Sequence, residues 1–277
     1  MNGSVKLTVL SENTSVSETL ESEHGLSIYI EMLGQHILFD TGAGHLFKRN
    51  AEKLGVDLAT VDRLVISHGH YDHGGGLRTF LEVNSRAKIY LHKQAFEPHF
   101  SRRTDGIASI GLDNTLLPNE RFVYCGDDYA IDENIEVFSR VESKRLFPSC
   151  NTTLFMKRGD AFVPDDFAHE QNLVIQQNGK TVLIAGCAHK GIVNIVDACK
   201  DRLGQYPDYV VGGFHLSGPR GNLSEAPDVV DAIGEYLAST PSRYYTCHCT
   251  GMENYQRLKR ILGERIQSLS TGDQISL

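Results

Sequence analysis

The sequence predicts an α/β protein built as a layered sandwich. Short β-branched and apolar stretches alternate with helical patterns along the whole chain, which is typical of α/β proteins. The two halves carry their strands and helices in similar order, which favours a layered sandwich over a barrel. No low-complexity or proline-rich linker interrupts the 277 residues. We therefore predict one domain, residues 1–277.

The first half is predicted to contain five strands and two helices. Residues 26–32 and 35–39 are apolar runs separated by Leu33 and Gly34, a pattern typical of a hairpin with a tight turn. The predicted strands span residues 5–10, 26–32, 35–39, 63–67 and 88–92, and the predicted helices span residues 45–54 and 77–81.

Residues 94–170 form the least regular part of the sequence. A long irregular segment inside a compact domain is often a lid or a binding loop, so we expect this segment to cover the functional site. The alternation then returns, with strands predicted at residues 172–176, 181–185, 209–211, 244–247 and 274–277 and helices at residues 192–203, 226–237 and 253–262.

Composition and charge exclude several classes of protein. Hydrophobic residues make up 40% and charged residues 22% of the chain, which are ordinary values for a globular protein. The net charge of −8 argues against general nucleic-acid binding, because phosphates require a surplus of Lys and Arg. No apolar run approaches the ~18 residues of a membrane span. The N-terminal residues lack the features of a secretory signal, and we interpret the six scattered cysteines as reduced thiols of a cytoplasmic protein.

The placement of the twelve histidines indicates a metal site. Residues 67–76 have the sequence SHGHYDHGGG and directly follow an apolar strand. Side chains two positions apart in an extended segment point the same way, so His68 and His70 are placed to bind one ion. Asp72 and His73 lie where the chain turns into the next helix, and they are placed to face a second ion. Strand, ligand spacing and glycine-rich turn agree, which favours a metal site over a histidine-rich surface loop.

The same motif resembles the signature of the metallo-β-lactamase superfamily, and residues 39–42, FDTG, resemble the acidic turn found upstream of it. Residues 186–191, 212–216 and 247–251 are similar to blocks of one branch, which is named for dihydropterin-ribofuranosylaminobenzene-phosphate synthase and often described as metal-dependent hydrolases. The resemblance implies an αββα sandwich of four layers with two central mixed sheets.

The resemblance also implies a set of ligands. His68, His70 and His189 would bind the first metal, and Asp72, His73 and His248 the second. The two later histidines each follow a predicted strand at its carboxyl end, where α/β sheets gather their ligands. Imidazoles and a carboxylate suit one or two zinc ions, and manganese and iron are alternatives.

One block departs from the pattern of the superfamily, which commonly places a metal-bridging Asp between the last two histidine ligands. Here the strand at 209–211 is followed by Gly-Gly-Phe-His, so that His215 occupies about this place. Three interpretations of His215 stay open: a ligand of the second metal, a proton donor facing the substrate, and a structural residue.

Six further residues have two interpretations each. Asp40 caps the helix that follows it or accepts the second ring N–H of a ligand histidine. Cys187 lies two residues from His189 and either approaches the metal or is a small buried residue, which we prefer. Lys190 and Arg220 either bind an anionic substrate or are solvated surface residues. For Cys247 and Cys249 we favour packing over a separate zinc site.

Three functions compete. The first is a metal-dependent hydrolase in which a metal-activated hydroxide attacks a small ester, phosphodiester or lactone, with Asp72 orienting the hydroxide and His215 as the acid. The second is a synthase like the namesake of the branch, and the third is a metal-binding sensor without turnover. A small, anionic substrate is expected in the first two, no nucleic-acid or membrane partner is expected, and the sequence does not indicate the oligomeric state.

Overall fold

The protein is described here from a computed structural model, which covers residues 4–219 and 223–277. Its strands, in chain order, are β1 (Lys6–Ser11), β2 (Ser27–Met32), β3 (Gln35–Phe39), β4 (Arg63–Val65), β5 (Lys88–His92), β6 (His99–Arg103), β7 (Gly106–Ser109), β8 (Phe122–Cys125), β9 (Asp128–Ala130), β10 (Ile135–Phe138), β11 (Leu154–Arg158), β12 (Ala161–Pro164), β13 (Asn172–Gln177), β14 (Lys180–Ile184), β15 (Tyr209–Gly212), β16 (Arg243–Thr246), β17 (Ile266–Ser268) and β18 (Gln274–Ser276). Its α-helices are α1 (Leu46–Leu54), α2 (Tyr71–Gly74), α3 (Leu77–Val83), α4 (Ile192–Leu203), α5 (Pro227–Ser239) and α6 (Met252–Leu262).

Two seven-stranded sheets form the centre of the molecule. The first has the strand order β18-β1-β2-β3-β4-β5-β8, and the second has the order β17-β16-β15-β14-β13-β10-β9. In the first sheet the strands from β1 to β3 pair antiparallel, and those from β3 to β8 pair parallel. In the second sheet β13 and β14 pair antiparallel, and the strands from β14 to β17 pair parallel. Both sheets are therefore mixed, as the resemblance implied, and the two halves of the chain repeat one arrangement.

The apolar core has three large parts, one between the sheets and one on the outer face of each, and Ile110, Leu154 and Phe167 form a small separate cluster. Ile28 of the first sheet and Leu173 of the second lie in the cluster between the sheets. Because side chains alternate along a strand, Leu64 points outward toward α1 and α3 while its neighbour Val65 points inward. Helices α4, α5 and α6 cover the second sheet. The four layers are thus helix, sheet, sheet and helix, which confirms the predicted αββα fold class.

Most predicted elements outside residues 94–170 are present within one or two residues of their predicted ends. Strand β5 and helix α4 have the predicted bounds. Strand β17 was not predicted, because its three residues are too few to display an alternation.

The segment at residues 94–170 is more regular than predicted. It contains seven strands: β8, β9 and β10 extend the two main sheets, while β6, β7, β11 and β12 form a separate four-stranded sheet. The error has a physical reason, since these strands have only three to five residues and several, such as β7 and β12, are largely exposed. A short exposed strand needs no buried face, so it carries little hydrophobic periodicity.

Within residues 4–219 and 223–277, the structure contains no helix long and apolar enough to cross a membrane.

Candidate metal centre

The predicted ligands converge because loops of both sheets meet at the carboxyl ends of the parallel strands. Asp40 directly follows β3, and the loop after β4 carries the histidine motif. The second sheet contributes the loops after β14, β15 and β16, which carry His189, His215 and His248. Loops at this edge of an α/β sheet commonly form binding sites.

His68, His70 and His189 form the first triad. The Nε2 atoms of His68 and His189 lie 3.3 Å apart, and a ring nitrogen of His70 lies within 4.8 Å of both. Ligand atoms of a tetrahedral zinc site with bonds of about 2.1 Å lie about 3.4 Å apart. All three side chains are buried, so the triad has the spacing and the enclosure of a metal site.

Asp72, His73 and His248 form the second triad. The Nε2 atoms of His73 and His248 lie 3.2 Å apart. Oδ2 of Asp72 lies 3.3 Å from Nε2 of His248 and 3.8 Å from Nε2 of His73. The two triads are adjacent: the ring centroid of His68 in the first triad lies 4.2 Å from that of His73 in the second.

Neighbouring side chains determine which nitrogen of each ring is free. Oδ1 of Asn151 lies 2.9 Å from Nδ1 of His189, and Oδ1 of Asn13 lies 2.8 Å from Nδ1 of His248. An amide oxygen only accepts, so each Nδ1 must carry the hydrogen and each Nε2 keeps its lone pair. The Nε2 lone pairs therefore face into the triads, an arrangement that a bound cation stabilises.

Asp40 orients the rings of the histidines that follow the strands of the first sheet. It is fully buried, and Oδ2 accepts hydrogen bonds from Nδ1 of His73 and from the hydroxyl of Ser67, both at 2.7 Å. Because the Ser67 proton points at Asp40, Ser67 Oγ accepts from Nδ1 of His68 at 2.8 Å. The structure therefore shows Asp40 as the acceptor of a histidine ring N–H. It does not cap the helix that follows, because α1 begins at Leu46 without a side-chain cap.

The charges of the two triads differ. Burial lowers the pKa of His68, His70 and His189 well below the usual value, so the first triad is neutral. Burial also acts against the charged form of His73, but the carboxylates of Asp40 and Asp72 raise its pKa to about 9. The pKa of Asp72 is well below its usual range, because its histidine neighbours outweigh the effect of burial. In the metal-free protein, the second triad thus contains a carboxylate and a protonated histidine.

His215 lies beside the first triad. Its ring centroid is 4.1 Å from that of His189, and only 7% of the residue is exposed. Neither ring nitrogen has a hydrogen-bond partner among the described residues. Its backbone is in the left-handed region, with φ +49°, as is that of Asp40, Ala188 and His248. Non-glycine residues held in this conformation are uncommon and cluster at functional sites.

The two residues predicted to bind an anion have different outcomes. Lys190 is half-buried beside His189, and its backbone N–H donates to Glu170, so that the loop before α4 is fixed. Arg220 lies outside the described residues.

Sequence reasoning missed several groups that contact the triads. His24 lies on the more exposed side of the second triad, with Nε2 3.2 Å from Oδ2 of Asp72, and no local pattern identified it. His99, Asp165 and His169 form a buried cluster behind His70. Cys187 Sγ lies 3.1 Å from Nε2 of His73. The signal for Cys187 was its spacing of two from His189, which allowed it to approach the metal, although we preferred a small buried residue.

Comparisons with known proteins show the family of the chain. Residues 23–226 match the family model of the metallo-beta-lactamase superfamily. An uncharacterized protein of Methanocaldococcus jannaschii is 30% identical over 91% of this chain and 93% of its own. The 7,8-dihydropterin-6-methyl-4-(beta-D-ribofuranosyl)-aminobenzene-5'-phosphate synthase of the same organism is 26% identical over 97% of this chain and 95% of its own.

Among solved structures, a metal-dependent hydrolase of the beta-lactamase superfamily is similar to this chain with a TM-score of 0.84 and 29% identity, over 99% of both chains. The family model and the 30% identical relative each extend over most of the sequence, and the chain belongs to the metallo-beta-lactamase superfamily.

Proposed function

We propose that this protein is a metal-dependent hydrolase that acts on a small, anionic ester, phosphodiester or lactone. The observation that carries the proposal is the pair of adjacent triads, in which four Nε2 atoms and one carboxylate converge. The similar solved structure described as a metal-dependent hydrolase supports it. We propose zinc as the resident metal, because neutral imidazoles with one carboxylate suit it, with manganese and iron as alternatives.

A divalent ion in such a site supplies a nucleophile at neutral pH by lowering the pKa of a coordinated water. Asp72 is ionised at neutral pH, and its Oδ2 faces the second triad, so it orients the attacking water and accepts its proton. His215 donates a proton to the leaving group, since both of its ring nitrogens are free of partners within the described residues and lie beside His189. Lys190 supplies positive charge for an anionic substrate.

Metal content and turnover on a substrate panel test the proposal. Protein purified without added metal is analysed for transition metals and then assayed with phosphodiesters, thioesters and lactones. We expect bound metal in the wild type, and turnover that falls by at least 10²-fold in His68→Ala and Asp72→Ala, because each change removes a ligand and the latter also a proton acceptor. His45→Ala is the matched control, since His45 is exposed and outside both triads. Equal rates in the wild type and in the two site variants would overturn the assignment.

A variant of His215 tests the acid. His215→Ala is expected to keep the metal content of the wild type and to lose turnover. The loss should be largest for substrates with poor leaving groups, because these depend most on protonation. A loss of metal together with turnover would instead make His215 a ligand.

The synthase of M. jannaschii supports a second candidate, because it is 26% identical to this chain over 97% of this chain and 95% of its own length. In that case the site would join an aminobenzoate-like acceptor to a phosphoribosyl donor with loss of pyrophosphate. Pyrophosphate release from phosphoribosyl pyrophosphate and 4-hydroxybenzoate, together with inactivity on the whole hydrolytic panel, would favour the synthase.

A further inference from the structure

The sulfur of Cys187 lies between the two triads. It is 3.1 Å from Nε2 of His73, and it lies within 4.8 Å of ring nitrogens of both His68 and His73. The Cys187 sulfur also lies within 4.8 Å of a ring nitrogen of His189 in the first triad and of a ring nitrogen of His248 in the second. Cys187 is 3% exposed. One buried sulfur atom is therefore close to predicted ligands of both metal positions.

His215 provides an independent indication of a ligand at this place. It is grouped with Cys187 and His189 within 4.8 Å, and it is more than nine-tenths buried. Its two ring nitrogens have no partner in the described part of the chain. Buried polar atoms of this kind normally have partners, so the space that Cys187, His189 and His215 share is suited to a bound ion or an ion-bound group.

His215 stands at about the place of the bridging carboxylate in this chain. The two glycines shortly before it cannot supply a carboxylate either. A Cβ atom on Gly213 would lie 2.5 Å from Sγ of Cys249, and one on Gly212 would lie 2.1 Å from the carbonyl oxygen of Ala185. The loop after β14 provides Cys187 at the same edge of the sheet.

Cys249 differs from Cys187 in its contacts. Its sulfur accepts the backbone N–H of His215 at 3.3 Å and donates to the carbonyl oxygen of Cys187 at 3.5 Å. These bonds link the loops after β14, β15 and β16. Cys249 is therefore a positioning residue for the other two side chains.

We propose that Cys187 is a thiolate ligand shared by the two metal positions, where it takes the place of a bridging carboxylate. On binding, the S–H bond breaks, sulfur-metal bonds form through the sulfur lone pairs, and the proton leaves to the buffer; no electron is transferred. A thiolate favours zinc or iron over manganese. The inference rests on the metal centre of the proposed function but not on its hydrolytic activity.

X-ray absorption at the zinc edge tests this ligand directly. Wild-type protein loaded with two equivalents of zinc should show sulfur scattering at about 2.3 Å, with about one sulfur per zinc for a shared ligand and about half for a ligand of one ion. The signal should disappear in Cys187→Ser and persist in Cys199→Ala, which is the matched control because its thiol is equally buried but lies in the core cluster beneath the helices of the second sheet, outside the metal centre.

Three results would overturn the inference: no sulfur scattering in the wild type, about half a sulfur per zinc, or an undiminished signal in Cys187→Ser. The first two are read on wild-type protein, so they decide the matter even if Cys187→Ser does not fold. The spectrum does not depend on turnover. A sulfur ligand without activity on any substrate would keep this inference and remove the hydrolase, whereas hydrolysis without a sulfur ligand would do the reverse.

Discussion

At the scale of single residues, the candidate site depends on the acceptors that hold the Nδ1 hydrogens of the histidines. Asp40, Asn13 and Asn151 accept these hydrogens, and the Nε2 lone pairs face the metal positions as a result. The ligands alone do not account for this arrangement, because an imidazole turned to its other tautomer presents an N–H to the metal.

Asp40→Asn should therefore weaken both metal positions. The amide nitrogen that replaces Oδ2 donates a hydrogen bond, so Nδ1 of His73 must accept and its Nε2 must carry the hydrogen. The hydroxyl of Ser67 loses its acceptor at the same place and donates to Nδ1 of His68 instead, so that Nε2 of His68 also carries a hydrogen. We expect the affinity for each equivalent of zinc to fall about 10–100-fold, as measured by titration against a chromogenic chelator. Asp113→Asn, at an exposed ion pair with Arg78, is the control. An unchanged affinity for both equivalents would contradict the assignment.

The pKa shifts predict how the stability of the metal-free protein depends on pH. His68, His70 and His189 have lowered pKa values, so their contribution to stability is present above about pH 6.5 and is lost as the pH falls below it, because only the unfolded chain then binds protons. The pKa of His73 is raised to about 9 in the folded protein. Its contribution to stability is therefore present below about pH 6.5 and is lost as the pH rises from there toward 9.

The melting temperature in the presence of a chelator should thus be highest near pH 6.5–7 and should fall on both sides. His73→Gln should lose the alkaline decline and keep the acidic one. A melting temperature of the wild type that rises steadily through the alkaline range would contradict the raised pKa of His73.

At the scale of elements, the segment at residues 94–170 supports the histidine motif from behind. Nδ1 of His169 accepts the backbone N–H of Gly69 at 2.9 Å, and Asp165 accepts from Nδ1 of His99 at 2.8 Å. Gly69 lies between His68 and His70, so this hydrogen bond fixes the loop from which both predicted ligands project. Whether the segment also covers the site stays a prediction.

His169→Phe should lower both the stability and the affinity of the first metal position. Phenylalanine retains a ring but leaves the buried Gly69 N–H without an acceptor, which costs about 1–3 kcal/mol. The decrease is measured by denaturant unfolding of the metal-free protein and by chelator titration of the first equivalent. His36→Phe, at a partly exposed histidine on β3, is the control. Unchanged stability would mean that another group satisfies the Gly69 N–H.

The fold and the two triads could be predicted from the sequence, whereas several groups around the triads could not. Period two along the strand placed His68 and His70 together, and the resemblance placed His189 and His248. Asn13, by contrast, is 235 residues from His248, and a contact over that separation leaves no local pattern. The strands in 94–170 were missed because all of them are short and several are exposed, whereas α4 has a buried face over three turns and was predicted with its exact bounds.

At the scale of the whole molecule, the candidate metal centre joins the two sheets. His68, His70, Asp72 and His73 belong to loops of the first sheet, while His189 and His248 follow strands of the second. Each triad therefore contains ligands from both sheets. Without an ion, Nε2 lone pairs from opposite sheets face each other at 3.3 Å in the first triad.

Metal removal should consequently lower the stability of the entire fold rather than loosen one loop. A ligand that binds only the folded state stabilises it by about 2.7 kcal/mol at a concentration 100 times its Kd. The melting temperature should fall when the protein is treated with a chelator and recover on addition of zinc. His189→Ala and His248→Ala each remove the contribution of the second sheet to one triad, so each should abolish about half of this recovery, and the double variant should abolish all of it. If hydrogen exchange instead showed that chelation releases protection only in residues 67–76, the ions would hold one loop and the two sheets would be stable without them.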